Sequence, residues 1–313
     1  MAKKLGLALS AGAARGWAHV GVLRGLKELG LEPQVIAGTS VGALVGGAYL
    51  IDALDGFEAW ARTLSPLSAF QQFTFNLTSG GLINAEAAFA AFEDYDRPIE
   101  DLEIAFGAIA CDLGTGEEVT LTSGSLLQAV KASSAIPMLL NAVPRGDRWL
   151  VDGAVVNPTP VSLARDLGAD YVIAVDLNAV PRTLARFDPP ENTLPVPVET
   201  SGATPTTLTG AVTRLVNDTR DTLSREFQKA KARINAKPHL FETGMAVADT
   251  VQMQIARARM KTCPPDLLLM PDMRAALPNA FDRADEFVEI GRQALLNHAD
   301  EIVANLKDDA PVT

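Results

Sequence analysis

Gly38-Thr39-Ser40-Val41-Gly42 places a serine at the centre of a Gly-x-Ser-x-Gly run. Such a serine attacks a carbonyl carbon when a neighbouring base takes its proton. The flanking glycines suit a sharp strand-to-helix turn, where a Cβ on either side would collide with its neighbours. Val151-Asp152-Gly153-Ala154 supplies a carboxylate at the end of an apolar run. An aspartate so placed faces the crevice at the carboxyl ends of an open α/β sheet. Within hydrogen-bond reach of Ser40 it could accept the hydroxyl proton directly, and partial burial would raise its proton affinity. The alternative role is to cap a turn or the helix that follows. The third stretch, Ala11-Gly12-Ala13-Ala14-Arg15-Gly16, is a turn of small residues. Small residues let backbone N–H groups approach a substrate oxygen, which would make an oxyanion hole.

These stretches need elements to hold them in place. Leu5 to Leu9 reads as a buried strand. Trp17 to Leu29 carries apolar residues at Val20, Leu23, Leu26 and Leu29, a helical spacing that Gly30 closes. Pro33 to Ala37 reads as a second strand, and Val41 to about Leu54 as a helix. Strand–helix–strand–helix in the first fifty residues implies a parallel pair with a right-handed crossover. Ser40 then stands at the start of a helix, whose free N–H groups and positive dipole end favour negative charge beside it.

Further along, Ile104 to Ala110 reads as a buried strand, with Gly114-Thr-Gly116 as a hairpin turn and Glu118 to Leu121 as the return strand. Ser125 to Ala132 is a helix, Arg148 to Val151 a strand, Pro160 to Leu167 a helix and Tyr171 to Val175 a buried strand. Phe70, Phe73, Phe75 and Leu77 cluster beside a Gly-rich turn, as core packing or as one wall of an acyl-chain pocket. From about 178 to 207 prolines crowd the chain without periodicity, which suggests a loop or flap. A helical C-terminal part, 208–313, follows. It comprises an amphipathic helix over about 212–230, a helix from Val247 to Met260, a late strand over Pro265 to Met270 and a last helix from Ala284 to Leu306. Together the elements fit a single domain over 1–313.

Composition narrows the chemistry. The 313 residues carry a formal net charge of -11, which argues against nucleic acid and against electrostatic docking onto anionic membranes. A lipid met one molecule at a time, or through an apolar patch in transient membrane contact, remains compatible with it. Cys111 and Cys263 lie far apart in no metal-type spacing, and a reducing cytoplasm is their natural compartment. The histidines His19, His239 and His298 form no cluster, so a metal site is not expected. His239 follows Lys237-Pro238 and His298 lies inside the last helix, so neither occupies the loop after a strand where a triad histidine is wanted. His19 sits one turn after Arg15 and reads as structural. The turn lacks the Gly-x-Gly-x-x-Gly and Gly-Lys-Ser/Thr patterns of nucleotide loops. The apolar run after Met-Ala-Lys-Lys is short and enters the turn carrying Arg15, so it reads as a first strand rather than a leader. No apolar run reaches the ~18 residues of a membrane span.

An Arg-Gly turn, then Gly-Thr-Ser-x-Gly, then Asp-Gly-Ala after a strand is similar to the patatin-like phospholipase family, notably its compact bacterial members. Gly12-Ala-Ala-Arg-Gly-Trp-Ala-His-Val-Gly21, Ala132-Ser-Ser-Ala-Ile-Pro137 and Asp152-Gly-Ala-Val-Val-Asn-Pro158 carry the likeness. So do Ala164 to Asn178 and Met253 to Asp272. The resemblance implies a three-layer α/β/α sandwich with a mostly parallel central sheet. It implies a Ser–Asp dyad, Ser40 as nucleophile and Asp152 as base, without metal or cofactor. It also implies an oxyanion hole at Gly12, Ala13 and Ala14, with Arg15 ordering that turn, and lipid acyl hydrolysis. A non-catalytic lipid-binding or regulatory protein on the same fold is the alternative. One departure concerns the turn, where the family's Gly-Gly-Gly-x-Arg-Gly becomes Ala11-Gly12-Ala13-Ala14-Arg15-Gly16. A left-handed backbone at position 13 costs an alanine more than a glycine.

Overall fold

The computed structural model describes residues 3–62, 89, 93, 95–137, 140–179, 240–274, 276 and 280–306. The elements are β1 (Leu5–Leu9), α1 (Trp17–Glu28), β2 (Val35–Thr39), α2 (Val41–Leu50), α3 (Leu54–Arg62), β3 (Ala105–Asp112) and β4 (Glu118–Leu121). Then come α4 (Leu126–Ser133), β5 (Val143–Arg145), β6 (Arg148–Asp152), α5 (Val161–Asp166), β7 (Tyr171–Val175), α6 (Leu240–Thr262), β8 (Leu267–Leu269), α7 (Ala284–Leu296) and α8 (Ala299–Leu306). Residues 1–182 and 247–313 make one compact unit. Of the second, residues 183–246, only the start of α6 is described.

Among the described residues, eight strands join one sheet in the order β5-β6-β3-β2-β1-β7-β8, with β4 also on β3. The pairs β1–β2, β1–β7, β2–β3 and β7–β8 are parallel, and β3–β4, β3–β6 and β5–β6 antiparallel. Side chains alternate across the sheet with the period of two that a strand imposes. Leu5, Leu7, Leu9, Ile36, Phe106, Ile173 and Val175 face one layer, where they pack with residues of α1, α2, α4 and α7. Ala8, Val35, Ala37, Val172 and Ala174 face the other, against Val161, Leu163 and Ala164 of α5 and Met260 of α6. Helices on both faces of a mostly parallel sheet make the α/β sandwich that the sequence suggests.

The register of β3 matters most for the site. β4 pairs with β3 from Ala108 to Cys111, so it occupies one edge of that strand. β2 pairs with β3 from Ala105 to Ile109, and β6 from Ala110 to Asp112, so both must lie on the other edge. Thr39 stands opposite Ile109 and Asp152 opposite Ala110. Asp152 therefore takes the ladder position directly beyond the end of β2, where the chain turns away at Ser40.

Several elements differ from the sequence reading. The helix after Ser40 stops at Leu50, with Asp52 at a φ of 54° before α3 begins. Strand β5 is a three-residue partner of β6 that carries Pro144 and exposed side chains, too short to show alternation. The helix expected from Val247 begins at Leu240. The last helix breaks into α7 and α8 at Asn297-His298, where His298 Nδ1 pairs with Glu301 at 3.0 Å across the first turn of α8. In the Pro-rich stretch Asn178 and Ala179 are buried. Its remainder, the aromatic cluster at 70–77, the amphipathic helix at 212–230 and His239 lie outside the described residues.

Candidate active site

Ser40 is the hinge between β2 and α2. Its backbone angles, φ 57° and ψ −123°, belong to a region that only glycine enters freely, at a cost of about 1–3 kcal/mol for other residues. The neighbouring glycines explain how the turn closes. A Cβ on Gly42 would lie 2.1 Å from the Leu9 carbonyl oxygen, and one on Gly38 would lie 2.5 Å from the Ala43 backbone. The backbone of Ser40 is also held by the end of α4. Ser133 Oγ accepts from the Ser40 N–H at 2.9 Å, and Ser134 Oγ donates to the Ser40 carbonyl at 3.2 Å. Thr39 Oγ1 donates to the Asn157 carbonyl at 2.8 Å, tying the strand end to the loop after Asp152.

The Ser40 hydroxyl donates to Asp152 Oδ2 at 2.5 Å. The other carboxylate oxygen, Oδ1, accepts from the Ala154 N–H at 2.8 Å. The two roles open to this aspartate are therefore filled together, one oxygen capping the turn and the other facing Ser40. Both side chains are buried, with Ser40 4% and Asp152 3% exposed. Burial pushes the Asp152 carboxyl up from 3.8 to about 6, against the opposing pull of the bonds from Ser40 and Ala154. A carboxylate of that basicity, 2.5 Å from a hydroxyl on a strained turn, can take the hydroxyl proton when the oxygen attacks an electrophile.

The small-residue turn lies beside this pair. Gly42 of the elbow packs against the carbonyls of Leu9 and Ser10 at the end of β1. Ala13 stands at a φ of 50°, the left-handed region, which costs an alanine roughly 1–2 kcal/mol. Arg15 is 3% exposed and donates through Nε to the Gly12 carbonyl at 3.1 Å. Its Nη2 pairs with Asp249 of α6 at 2.8 Å. The N–H groups of Gly12, Ala13 and Ala14 make no hydrogen bond among the described residues. Gly12 and Ala14 are buried and Ala13 half-buried, and the free donors of this turn are available to a ligand or to water.

His19 is fully buried and takes no part in the serine pair. Its Nε2 lies 2.8 Å from the Ser10 carbonyl, and burial lowers its pKa to about 4. It is therefore neutral at pH 7 and carries its proton on Nε2, because a carbonyl oxygen can only accept.

A family model described as patatin-like phospholipase matches residues 7–165. The chain belongs to the patatin-like phospholipase family. An uncharacterized NTE family protein of Mycobacterium tuberculosis is 37% identical over 177 residues, 56% of this chain and 49% of that protein. Patatin-like phospholipase domain-containing protein ZK370.4 of Caenorhabditis elegans is 35% identical over 188 residues, 57% of this chain and 14% of that protein. The chain spans about half the length of the mycobacterial relatives it matches, and less of the animal ones. VipD from Legionella pneumophila aligns over 96% of this chain and 67% of its own at 11% identity and a TM-score of 0.45.

The patatin-like segment contains Ser40, Asp152 and the whole turn from Ala11 to Gly16. Sequence reasoning missed other residues that hold them. Ser133 and Ser134, which the sequence offers only within the family-like stretch Ala132 to Pro137, clamp the backbone of Ser40. A Ser-Ser pair closing a helix is the signal that was available. Asn178 closes the family-like stretch Ala164 to Asn178 and opens the Pro-rich loop in the sequence, and in the fold it bonds the Ala11 carbonyl, a contact that the sequence does not signal.

Proposed function

We propose that this patatin-like chain is a lipid acyl hydrolase, a carboxylic ester hydrolase of phospholipase A type, working through a Ser–Asp dyad. The observation that carries the proposal is the 2.5 Å bond from Ser40 Oγ to Asp152 Oδ2 at a strained strand-to-helix elbow. Ser40 Oγ attacks the ester carbonyl while its proton passes to Asp152. The tetrahedral oxyanion is held by N–H groups of Gly12, Ala13 and Ala14. Collapse expels the alcohol, which takes the proton from Asp152, and leaves an acyl group on Ser40. Asp152 then takes a proton from water, the hydroxide adds to the acyl carbon, and the fatty acid leaves as Ser40 recovers its proton. Family membership supports a fatty-acyl ester as the substrate class. Among the described residues no helix is long and apolar enough to cross a membrane.

The test is hydrolysis of short- and medium-chain p-nitrophenyl esters and of phospholipid. Activity is expected in the wild type and in His239→Ala and His298→Ala, and its loss in Ser40→Ala and Asp152→Asn. Loss in either histidine variant would overturn the dyad. A wild type inactive on every ester, yet binding lipid, would turn the proposal towards the non-catalytic role.

A further inference from the structure

Every carbonyl of the turn from Ser10 to Gly12 is claimed by a donor. The Ser10 carbonyl accepts from His19 Nε2 at 2.8 Å. The Ala11 carbonyl accepts from Asn178 Nδ2 at 3.1 Å and from Ser10 Oγ at 3.0 Å. The Gly12 carbonyl accepts from the Arg15 N–H and from Arg15 Nε, each at 3.1 Å. A trans peptide is planar, so the carbonyl of one residue and the N–H of the next point in opposite directions. Fixing the Ser10 carbonyl aims the Ala11 N–H, which donates to the Pro158 carbonyl at 2.9 Å. Fixing the Ala11 carbonyl aims the Gly12 N–H, and fixing the Gly12 carbonyl aims the Ala13 N–H. These last two have no partner among the described residues.

Asn178 is well placed to hold the first of those two peptides. It lies just beyond β7, is 4% exposed and is itself anchored on both sides. Its backbone N–H donates to Asp176 Oδ1 at 2.9 Å, and its Nδ2 reaches Gln252 Oε1 of α6 at 3.2 Å. The amide orientation follows from its partner, since a carbonyl cannot donate and only the NH₂ group can face Ala11 O. Ser10 completes the brace. Its hydroxyl accepts from the Leu177 N–H at 3.0 Å while donating to Ala11 O, so the end of β7 and the end of β1 are joined through one side chain.

We propose that Asn178 and Ser10 are positioning residues for the oxyanion hole, acting through the Ala11 carbonyl to aim the Gly12 N–H. The inference rests on the serine hydrolase reading above and goes beyond it, since Asn178 lies outside the matched family segment. A hole pays off when its donors are fixed before charge develops, because no reorganisation is then needed in the transition state. Releasing the Ala11 carbonyl frees the Ala11–Gly12 peptide to rotate, and Ala13, strained at a φ of 50°, gains a route to relax.

The experiment compares Asn178→Ala and Ser10→Ala with the wild type on an oxygen ester and its matching thionoester. Asn178→Ala should lower kcat on the oxygen ester by roughly ten- to a hundredfold, short of the 10²–10³ typical of deleting an oxyanion donor outright. KM should stay within about twofold, because the ground-state carbonyl is not what the hole is built to bind. Sulfur accepts hydrogen bonds poorly, so the loss on the thionoester should be several times smaller. Ser10→Ala should show the same pattern with a smaller amplitude, since Asn178 still holds the carbonyl. Should Asn178→Ala fail to fold, the Ser10→Ala ratio decides alone. Unchanged kcat, or an equal loss on both substrates, overturns the inference while leaving the dyad intact. A wild type without Ser40-dependent hydrolysis overturns the dyad, and the inference falls with it.

Discussion

Two turns occupy equivalent places in successive strand–helix units, and they are held by different mixtures of close packing and side-chain bonds. The elbow after β2 puts Ser40 at a φ of 57°, and the turn after β1 puts Ala13 at a φ of 50°. Each forces a non-glycine residue into a backbone region that costs it free energy. At the elbow the strain is sustained largely by the absence of side chains. Gly38 and Gly42 let β2, α2 and the end of β1 approach until no Cβ would fit. At the first turn it is sustained by their presence, through His19, Ser10, Asn178 and Arg15 bonding successive carbonyls. The elbow must present one hydroxyl to one carboxylate, which a rigid, close-packed bend does well. On the proposed mechanism the turn presents backbone N–H groups to an oxygen, so its carbonyls need partners elsewhere.

The largest effects should come from breaking the elbow's chemistry and then its packing. Ser40→Ala should reduce kcat/KM on a p-nitrophenyl ester by about 10⁴-fold or more, since nothing else supplies the nucleophile. Ser40→Gly should be equally inactive yet more stable than Ser40→Ala by about 1 kcal/mol, because glycine accepts the positive φ without strain. Equal denaturation midpoints for the two variants would show that the bend stores no strain. Gly42→Ala drives a methyl group to 2.1 Å from the Leu9 carbonyl oxygen, a backbone atom that cannot step aside cheaply. It should destabilise the fold by about 3 kcal/mol and reduce activity through misplacement of both turns. A variant with wild-type denaturant stability would contradict that packing.

Asp152 gives a comparable effect in stability, with a sign that depends on pH. Burial raises its carboxyl from 3.8 to about 6, so the folded chain holds the proton more tightly than the unfolded chain. The stability this confers is fully present below about pH 4 and is lost as the pH rises through 6. A neutral Asp152→Asn escapes the cost of a buried charge. It should therefore exceed the wild type at pH 7.5 by up to about 3 kcal/mol, with the gain vanishing near pH 4. The same ionisation should govern activity, with wild-type kcat/KM rising through about pH 6 to a plateau as Asp152 becomes able to accept a proton. A pH-independent difference between the two proteins, read from denaturation curves, would remove the buried charge from both accounts.

The contrast between the turns also explains what was legible in the sequence. A lock made of glycines writes itself into a short string, so the elbow, its strand and its helix could be read from residues 33 to 50. Asp152 was legible as a strand-end carboxylate, but its register was not. That it fills the ladder position beyond Thr39 depends on β6 sharing an edge of β3 with β2, a pairing between segments more than a hundred residues apart. A lock made of side-chain donors has no local string at all. Asn178 is 167 residues from Ala11, and although it ends a family-like stretch, nothing in that stretch says which carbonyl its side chain reaches. The strands β1, β2 and β7 were readable as short apolar runs bounded by turn residues, because strands buried on both faces are continuously apolar. The three-residue β5 and the break at Asn297-His298 were not, since both depend on tertiary partners more than on periodicity.

The smallest expected effect makes the finest distinction between the two locks. Ala13→Gly restores the residue that the family pattern carries at this turn. It removes a left-handed alanine worth roughly 1–2 kcal/mol of strain. It also adds a glycine to the unfolded chain, which takes back about 0.4–1 kcal/mol. The net gain in stability should be about 0.5–1 kcal/mol, seen as a modest rise in the denaturation midpoint. If the carbonyl bonds aim the N–H groups, the identity of residue 13 matters little to them, because Asn178, Ser10 and Arg15 hold the peptide planes on either side of Gly12. Turnover should then stay within about threefold of wild type, and Asn178→Ala should cost a similar factor in either background. If the strained alanine itself stiffens the turn, Ala13→Gly lowers kcat despite the gain in stability, and adding Asn178→Ala costs more than it does alone. A double-mutant cycle on kcat separates the two, because independent contributions add and a shared one does not.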